Sequence, residues 1–329
     1  MSEVSAVIVS YADLGATSRA VATLRAQTVA PTRIIVVDND PASELVALEG
    51  ASVVRPGRNL GYAGGANLGA SRAGGEWLLL LNPDAVADRH CIERLLEAAD
   101  DRTGIVGAQI LLPDGRVNAG DNPLHFTGVS WSGRYMEPAE DGPPRSVAVA
   151  SGAALLVRRA AWDAVGGLAE PFFLYHDDVD LSWRVRLAGW DVRFAPRARV
   201  RHDYDFDKGA QKWYWLERNR AWTVLCNYDR RTLALLAPML AASEAAVLAR
   251  SVAQGWWAQK LRAWAAVLRA APAIADRRRA VQATRRVGDA EIMRRMTGAF
   301  ATPLASPGLA GRLGPLLDLY RRWLVRRLD

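Results

Sequence analysis

The 329-residue chain contains only two cysteines, Cys91 and Cys226, with no Cys-x-x-Cys pair and no Cys/His spacing of the zinc-binding kind. That scarcity excludes a disulfide framework and a structural zinc site, and a reduced, cytoplasmic compartment is expected. The first ten residues lack a basic leader followed by a long apolar run, so no signal peptide is expected and the mature chain is expected to begin at or near Met1. A Gly-x-Gly-x-x-Gly turn between a first strand and its helix is missing, as is a Walker lysine, so neither nucleotide motif matches. Disorder is excluded by what is present: 50% hydrophobic and 23% charged residues suffice for a large core, in two domains or one domain with a long appendage.

The net charge of +7 conceals a division. Residues 1–229 carry 24 basic and 29 acidic side chains, whereas residues 230–329 carry 18 basic and 6 acidic ones. The basic character therefore belongs to the tail, where it suits nucleic acid, anionic lipid or water, and the apolar pattern must choose among them.

Val4 to Val9 and Arg33 to Val37 read as buried strands, with Ser18 to Gln27 between them as a short helix. Shorter strands follow at Ser52–Arg55 and Trp77–Leu81, and Asp88 is expected to cap a helix running to about Ala99. Strand, helix and strand with short links predict a parallel α/β sheet with polar groups at the carboxyl ends of its strands, the edge where such sheets bind ligands. In isolation, the glycines of NLGYAGGANLG (Asn59–Gly69) require no more than a tight turn and close helix packing, and Asp38 and Asp84 no more than loop caps.

Their joint arrangement resembles the family 2 glycosyltransferases, especially the branch containing bacterial rhamnosyltransferases. The matching segments are VIVSY (Val7–Tyr11), IIVVDND (Ile34–Asp40), NLGYAGGANLG, LLLNPDA (Leu79–Ala85), SGAALLVRRAAWDAVGGL (Ser151–Leu168), FFLYHDDVDLSWR (Phe172–Arg184) and YWLERN (Tyr214–Asn219), in family order. The resemblance implies a GT-A fold: a Rossmann-like mixed sheet flanked by helices that binds a nucleotide sugar, here followed by a basic helical tail. Residues 1–229 would form the catalytic domain, with 1–120 mainly donor-binding and 121–229 mainly acceptor-side, and 230–329 a helical basic region. Ser10 and Tyr11 would line the base and ribose pocket, Asp38 would hydrogen-bond the pyrimidine, and Asn59, Asn67 and Asn82 would complete the donor site; Arg218 is a candidate phosphate or acceptor contact, a structural ion pair being the alternative. Asp84 occupies the second acidic position of the family's Asp-x-Asp motif, with Asn82 at the first, so Asp84 would make the main contact to Mg2+ or Mn2+, with His202 and the donor diphosphate. The sequence DYDFD (residues 203–207) departs from the small-residue continuation that usually follows this histidine.

An inverting sugar transfer needs a base for the acceptor hydroxyl and a cation for the departing nucleoside diphosphate. In HDDVD (His176–Asp180) the resemblance places the base at Asp178, with Asp177 replacing the usual Glu, although the two neighbours could exchange roles. Three carboxylates within four positions should raise the proton affinity of at least one. Asp180 is expected in the first turn of a helix whose apolar stripe is Leu181, Val185 and Ala188. A solvated acidic turn is the plain alternative.

Thr232 to Ala249 is apolar over 18 residues but carries Pro238 and Glu244, which argue against a transmembrane span. Trp257, Leu261, Trp264 and Leu268 recur at helical spacing near Lys260, Arg262 and Arg269, and predict an interfacial helix at a membrane surface, packing on the catalytic domain being the alternative. The expected function is transfer of a sugar, with rhamnose from a dTDP donor the first choice and UDP-linked galactofuranose or hexoses the alternatives, to a glycan or lipid-linked glycan acceptor at the inner face of the cell membrane. A sugar nucleotidyltransferase would need a basic Gly-rich loop after the first strand, where Ser10-Tyr11-Ala12-Asp13 stands. A noncatalytic membrane module leaves Asp84 and the Asp177-Asp178 pair unexplained, and no nucleic-acid partner is expected because the tail has no nucleic-acid motif.

Overall fold

The computed structural model describes residues 2–43, 45, 47–202, 209–300 and 309–329, with side chains in the last segment from residue 313. The first half runs β1 (Val4–Ser10), α1 (Leu14–Arg25), β2 (Arg33–Asp38), β3 (Ser52–Val54), α2 (Gly61–Arg72), β4 (Trp77–Leu81), β5 (Ala85–Ala87), α3 (Cys91–Glu97), β6 (Thr103–Leu111), β7 (Val117–Ala119) and β8 (Asp121–Asn122). There follow β9 (Arg145–Ser146), β10 (Val149–Ala150), β11 (Ala154–Arg158), α4 (Arg159–Val165), α5 (Asp177–Leu187) and β12 (Asp191–His202). The remainder is helical: α6 (Gln211–Asn227), α7 (Arg230–Ala253), α8 (Trp257–Arg269), α9 (Ala271–Thr284), α10 (Asp289–Arg295) and α11 (Leu309–Leu328). Two compact units result: one holds the strands and α1–α5, the other α6–α11 with residues 123–131 and 187–189.

The first unit is built on a mixed sheet in the order β3-β2-β1-β4-β11-β6-β12-β5, with β7 added to β6 and β9 to β12. β1, β2, β3 and β4 run parallel, as expected from sequence, but β11 enters antiparallel between β4 and β6. Every residue of β1 is buried, because the period of two sends apolar side chains to both faces. Val4, Ala6 and Ile8 pack with α1 and α3, while Val7 and Val9 pack with α2, α4 and α5. Leu181, Val185 and Ala188 are buried, as the stripe predicted.

Local boundaries shift where capping chemistry overrides the apolar pattern. α1 begins four residues before the expected Ser18 because Asp13 Oδ1 accepts the Ala16 amide at 2.8 Å. Asp88 instead offers its backbone carbonyl to the Cys91 amide at 2.9 Å, and α3 starts at Cys91 without a side-chain cap and ends at Glu97. The Gly-rich segment is mostly helix: α2 lies so close to β1 that a Cβ on Gly69 would overlap Val7.

In the second unit Pro238 and Glu244 do not interrupt α7, which runs for 24 residues. By length and composition it is apolar enough to cross a membrane, and only 11% of its apolar window is buried. Glu244 is accommodated by a charge cluster in which Lys260 Nζ lies 2.7 Å from its carboxylate and Trp264 Nε1 donates to it at 2.6 Å. Arg220 and Glu217 complete the cluster, paired to each other at 2.7 Å and bridged to Glu244 and Lys260 respectively. Lys260, expected on the basic flank of an exposed stripe, is thus fully buried, and Trp264 is half-buried.

Candidate active site

Parallel strands bring their carboxyl ends to one edge, and the register aligns Ser10 with Asp38 and Ile8 with Leu81. Ser10 is buried there with its hydroxyl 2.7 Å from Thr17 Oγ1, whereas Tyr11 is 57% exposed. Asp38 is buried; Oδ1 accepts the Asp40 amide at 3.3 Å, while Oδ2 has no hydrogen-bond partner among the described residues and the Arg55 guanidinium stands 3.4 Å away. The neighbouring Asn39 Nδ2 donates to the Gly61 carbonyl at 2.8 Å and so ties β2 to the start of α2.

Asn59 Oδ1 accepts the Gly61 amide at 2.8 Å and shapes the turn into α2. Both ends of the Asn67 amide engage the backbone of Leu168, at 3.0 and 2.9 Å, so this side chain holds α2 to the segment leading toward the acidic cluster.

The turn after β4 carries Asn82 and Asp84, and pairing of β12 with β5 sets His202 opposite Ala85. His202 Nε2 thereby lies 2.9 Å from Asp84 Oδ1 and 3.4 Å from Asn82 Nδ2. His202 is buried while the Asp84 carboxylate is about half exposed (48%). One carboxylate oxygen and one imidazole nitrogen facing each other form a donor set that fits a divalent cation taking its remaining ligands from phosphate and water. Among the described residues no cluster of three or more His, Cys, Asp or Glu side chains offers a complete protein cage. Residues 203–207, the DYDFD segment, lie outside the described residues.

The acidic cluster reaches the same edge through β11. Leu81 pairs with Ala154, the Asn82 amide donates to the Ala153 carbonyl at 2.9 Å, and one residue earlier the Gly152 amide donates to Asp178 Oδ2 at 2.9 Å. Asp178 Oδ1 accepts the Val179 amide at 2.8 Å, so two backbone dipoles orient this half-buried carboxylate, although burial still raises its pKa. Asp177 is buried, and burial first, with the charge of Asp178 second, pushes its pKa up to about 7. Asp180 is spent elsewhere: it pairs with the buried Arg184 at 2.7 Å, and Arg184 in turn donates to the carbonyls of Val165 and Gly167 at 2.8 Å.

Sequence reasoning missed two features here. Tyr62 Oη donates to the Gly152 carbonyl at 3.3 Å, beside the amide that holds Asp178, and burial raises its pKa well beyond the usual tyrosine value, with Asp177 and Asp178 adding to it. Phe173, Tyr175 and His176 all have φ near +65°, a conformation costly for side chains larger than glycine. The Tyr62 amide donates to the Phe173 carbonyl at 2.7 Å, and Gly61, itself at φ +71°, leaves no room for a Cβ beside Phe173. The Tyr in GYAGG was the available signal for the first feature; the strained approach has no counterpart in local propensity.

Arg218, by contrast, belongs to the second unit, where its guanidinium lies 4.5 Å from the Trp215 ring and donates to Asn219 Oδ1 at 2.9 Å.

Comparison with known proteins accords with this layout. Residues 5–166 match the family described as Glycosyl transferase family 2. N-acetylglucosaminyl-diphospho-decaprenol L-rhamnosyltransferase of Mycobacterium tuberculosis is 30% identical over 228 residues, covering 60% of this chain and 74% of that one. The low-salt glycan biosynthesis hexosyltransferase Agl10 of Haloferax volcanii is 27% identical over 164 residues, covering 46% and 52% respectively. Among solved structures, GalNAc-T7 with UDP, GalNAc and Mn2+ superimposes with a TM-score of 0.57 at 17% identity, over 70% of this chain and 49% of that one, a likeness of fold. A mixed GT-A sheet, a family match over residues 5–166 and a relative aligned over most of its own length lead to one conclusion: the chain is a glycosyltransferase of family 2.

Proposed function

We propose that this glycosyltransferase moves a sugar, with inversion, from a nucleoside diphosphate donor to a hydroxyl of a lipid-linked cell-envelope glycan, and that the sugar is rhamnose carried on dTDP. The relative named for L-rhamnosyl transfer to N-acetylglucosaminyl-diphospho-decaprenol supports both the sugar and the acceptor class. The observation that carries the chemistry is the link just before β11, which joins the Asn82–Asp84 turn to Asp178 by two adjacent hydrogen bonds, the Asn82 amide to the Ala153 carbonyl and the Gly152 amide to the Asp178 carboxylate.

In this reading Asp38 Oδ2, buried without a hydrogen-bond partner among the described residues and 3.4 Å from the Arg55 guanidinium, accepts an N–H of the pyrimidine. Tyr11 lies against the base and Ser10 backs the pocket. Asn59 and Asn67 act by holding α2 in place, and residues 1–120 carry the donor side while 121–229 carry the acceptor side. Asp84 and His202, with Asn82 beside them, would hold Mg2+ or Mn2+, whose charge when bound offsets that of the departing diphosphate.

Asp178 takes the acceptor proton, since its carboxylate is both oriented and accessible. The acceptor oxygen then bonds to the anomeric carbon from the face opposite the nucleoside diphosphate, whose C–O bond breaks and which leaves with the electron pair. Asp177 tunes its neighbour: once ionised near neutral pH it raises the proton affinity of Asp178. Arg218 as a phosphate or acceptor contact rests on the family resemblance, and Arg218→Lys, which keeps charge but loses the forked donor array, tests it.

The deciding experiment is a thermal-shift and hydrolysis screen of the purified chain against dTDP, UDP and GDP sugars with Mg2+ or Mn2+. A response led by dTDP-rhamnose is expected. A response led by a UDP sugar overturns the donor assignment, and none from any donor overturns the reading as a whole.

A further inference from the structure

In the second unit α7, α8 and α11 each expose apolar side chains, and α7 and α8 each turn a charged residue inward, although Leu236 of α7 and Leu324 of α11 are buried. On α8 the buried positions are Lys260 and Ala263, whereas Trp257 is 50%, Leu261 42% and Leu268 76% exposed. On α7, Glu244 points into the cluster with Arg220, Glu217 and Lys260, while Pro238, Ala245 and Val252 face outward. On α11, Leu316 and Leu319 are 63% and 61% exposed, and Trp323 is 41% exposed. The three helices are tied together, for Lys260 and Trp264 of α8 reach Glu244 of α7, and Tyr320 of α11 donates to the Leu235 carbonyl of α7 at 2.6 Å.

Burying a lysine while exposing tryptophan and leucine on the same helix is unfavourable in water, because the apolar surface stays hydrated and the ion must be desolvated. In lipid the preference reverses: ionisable groups face the helical interior and pair with one another. Exposed arginines (Arg250, Arg262, Arg269, Arg322, Arg326 and Arg327) border these apolar faces. Their charge complements an anionic headgroup layer.

We infer that α7, α8 and α11 seat this unit in the headgroup and acyl boundary of an anionic bilayer, with the Glu217–Arg220–Glu244–Lys260 cluster on the protein side neutralising the one acidic residue of α7. The partner is the lipid surface itself, independent of the donor or acceptor used at the sheet edge.

The test is flotation of the full chain with vesicles of phosphatidylcholine alone or mixed equally with phosphatidylglycerol, comparing wild type with the triple variant Trp257→Ser, Leu261→Ser, Leu268→Ser. Wild type is expected to float with the anionic vesicles and at least tenfold less with neutral ones, and the triple variant to lose at least tenfold of the anionic binding. A cooperative thermal melt at the wild-type temperature shows that the variant is folded, as its sites are exposed. A second variant, Arg262→Glu with Arg269→Glu, should lower binding to anionic vesicles only. Equal flotation of wild type and the folded triple variant overturns the assignment. So does concentration-dependent self-association without lipid that the triple variant abolishes, which makes the face a contact between copies. Binding to duplex DNA in the absence of vesicle binding also overturns it.

Discussion

The Gly152 amide donates to Asp178 Oδ2 at 2.9 Å, across 26 positions of sequence. Gly152 stands just before β11, whose antiparallel pairing with β4 places it beside the Asn82–Asp84 turn, so one hydrogen bond from a backbone amide ties the proposed base to that turn. Asp178→Asn keeps the shape of that side chain but not its ability to take a proton. Transfer should fall by roughly 10² to 10⁴, with donor affinity little changed in a calorimetric titration. Were Asp177→Asn the variant to lose transfer while Asp178→Asn stayed near wild type, the base would be Asp177.

Asp177 yields a pH prediction. An ordinary aspartate ionises near 3.8, whereas this one holds its proton to about 7. Between those values the folded chain binds a proton that the unfolded chain has released, so stability attributable to Asp177 declines as pH rises from about 4 to 7 and stays low above. At about 1.4 kcal/mol per pH unit the difference is at most about 4 kcal/mol. Asp177→Asn should therefore raise the melting temperature at pH 8 relative to wild type while giving no gain at pH 4. The activity of wild type should climb through pH 7, and the variant should lack that rise.

Asp84 and His202 face each other at 2.9 Å, with the carboxylate half exposed. Asp84→Ala removes little packing, so it should fold normally and lose cation-dependent donor binding, and EDTA should reproduce the effect on wild type. Full activity of both EDTA-treated wild type and Asp84→Ala would falsify the cation assignment.

Asp180 and Arg184 form a buried pair whose guanidinium also holds the carbonyls of Val165 and Gly167. Asp180→Asn leaves the arginine charge buried without its counterion, at a cost of about 3–5 kcal/mol. Denaturant unfolding should report that loss; an unchanged midpoint would mean the pair adds nothing. Replacing Gly69 by Ala forces α2 away from Val7, and should cost about 1–3 kcal/mol through overpacking.

Much of the parallel half of the sheet was legible in the chain itself. Val4–Val9, Ile34–Val37 and Trp77–Leu81 are short, largely apolar runs of the kind that a sheet buried on both faces accommodates, and Trp77–Leu81 is β4 to the residue. The acidic residues of HDDVD stand at a helix start, and the charge of Asp178 adds to the raised proton affinity of Asp177, as the crowding of carboxylates predicts for at least one of them; burial, the larger cause for Asp177 and the raising cause for Asp178, has no sign in the local sequence. Local pattern has no means of showing long-range pairing, however. The antiparallel entry of β11 brings Gly152 to Asp178, and the β5–β12 ladder brings His202 to Asp84 over 118 positions. The tail shows the same limit: helical spacing grouped Trp257, Leu261, Trp264 and Leu268, but where Lys260 points depended on Glu217 and Glu244, two carboxylates on other helices. A helix has two sides, and its periodicity marks the apolar one without saying whether protein, lipid or water will meet it; only the positions of partner charges, set by tertiary packing, decide which side turns inward.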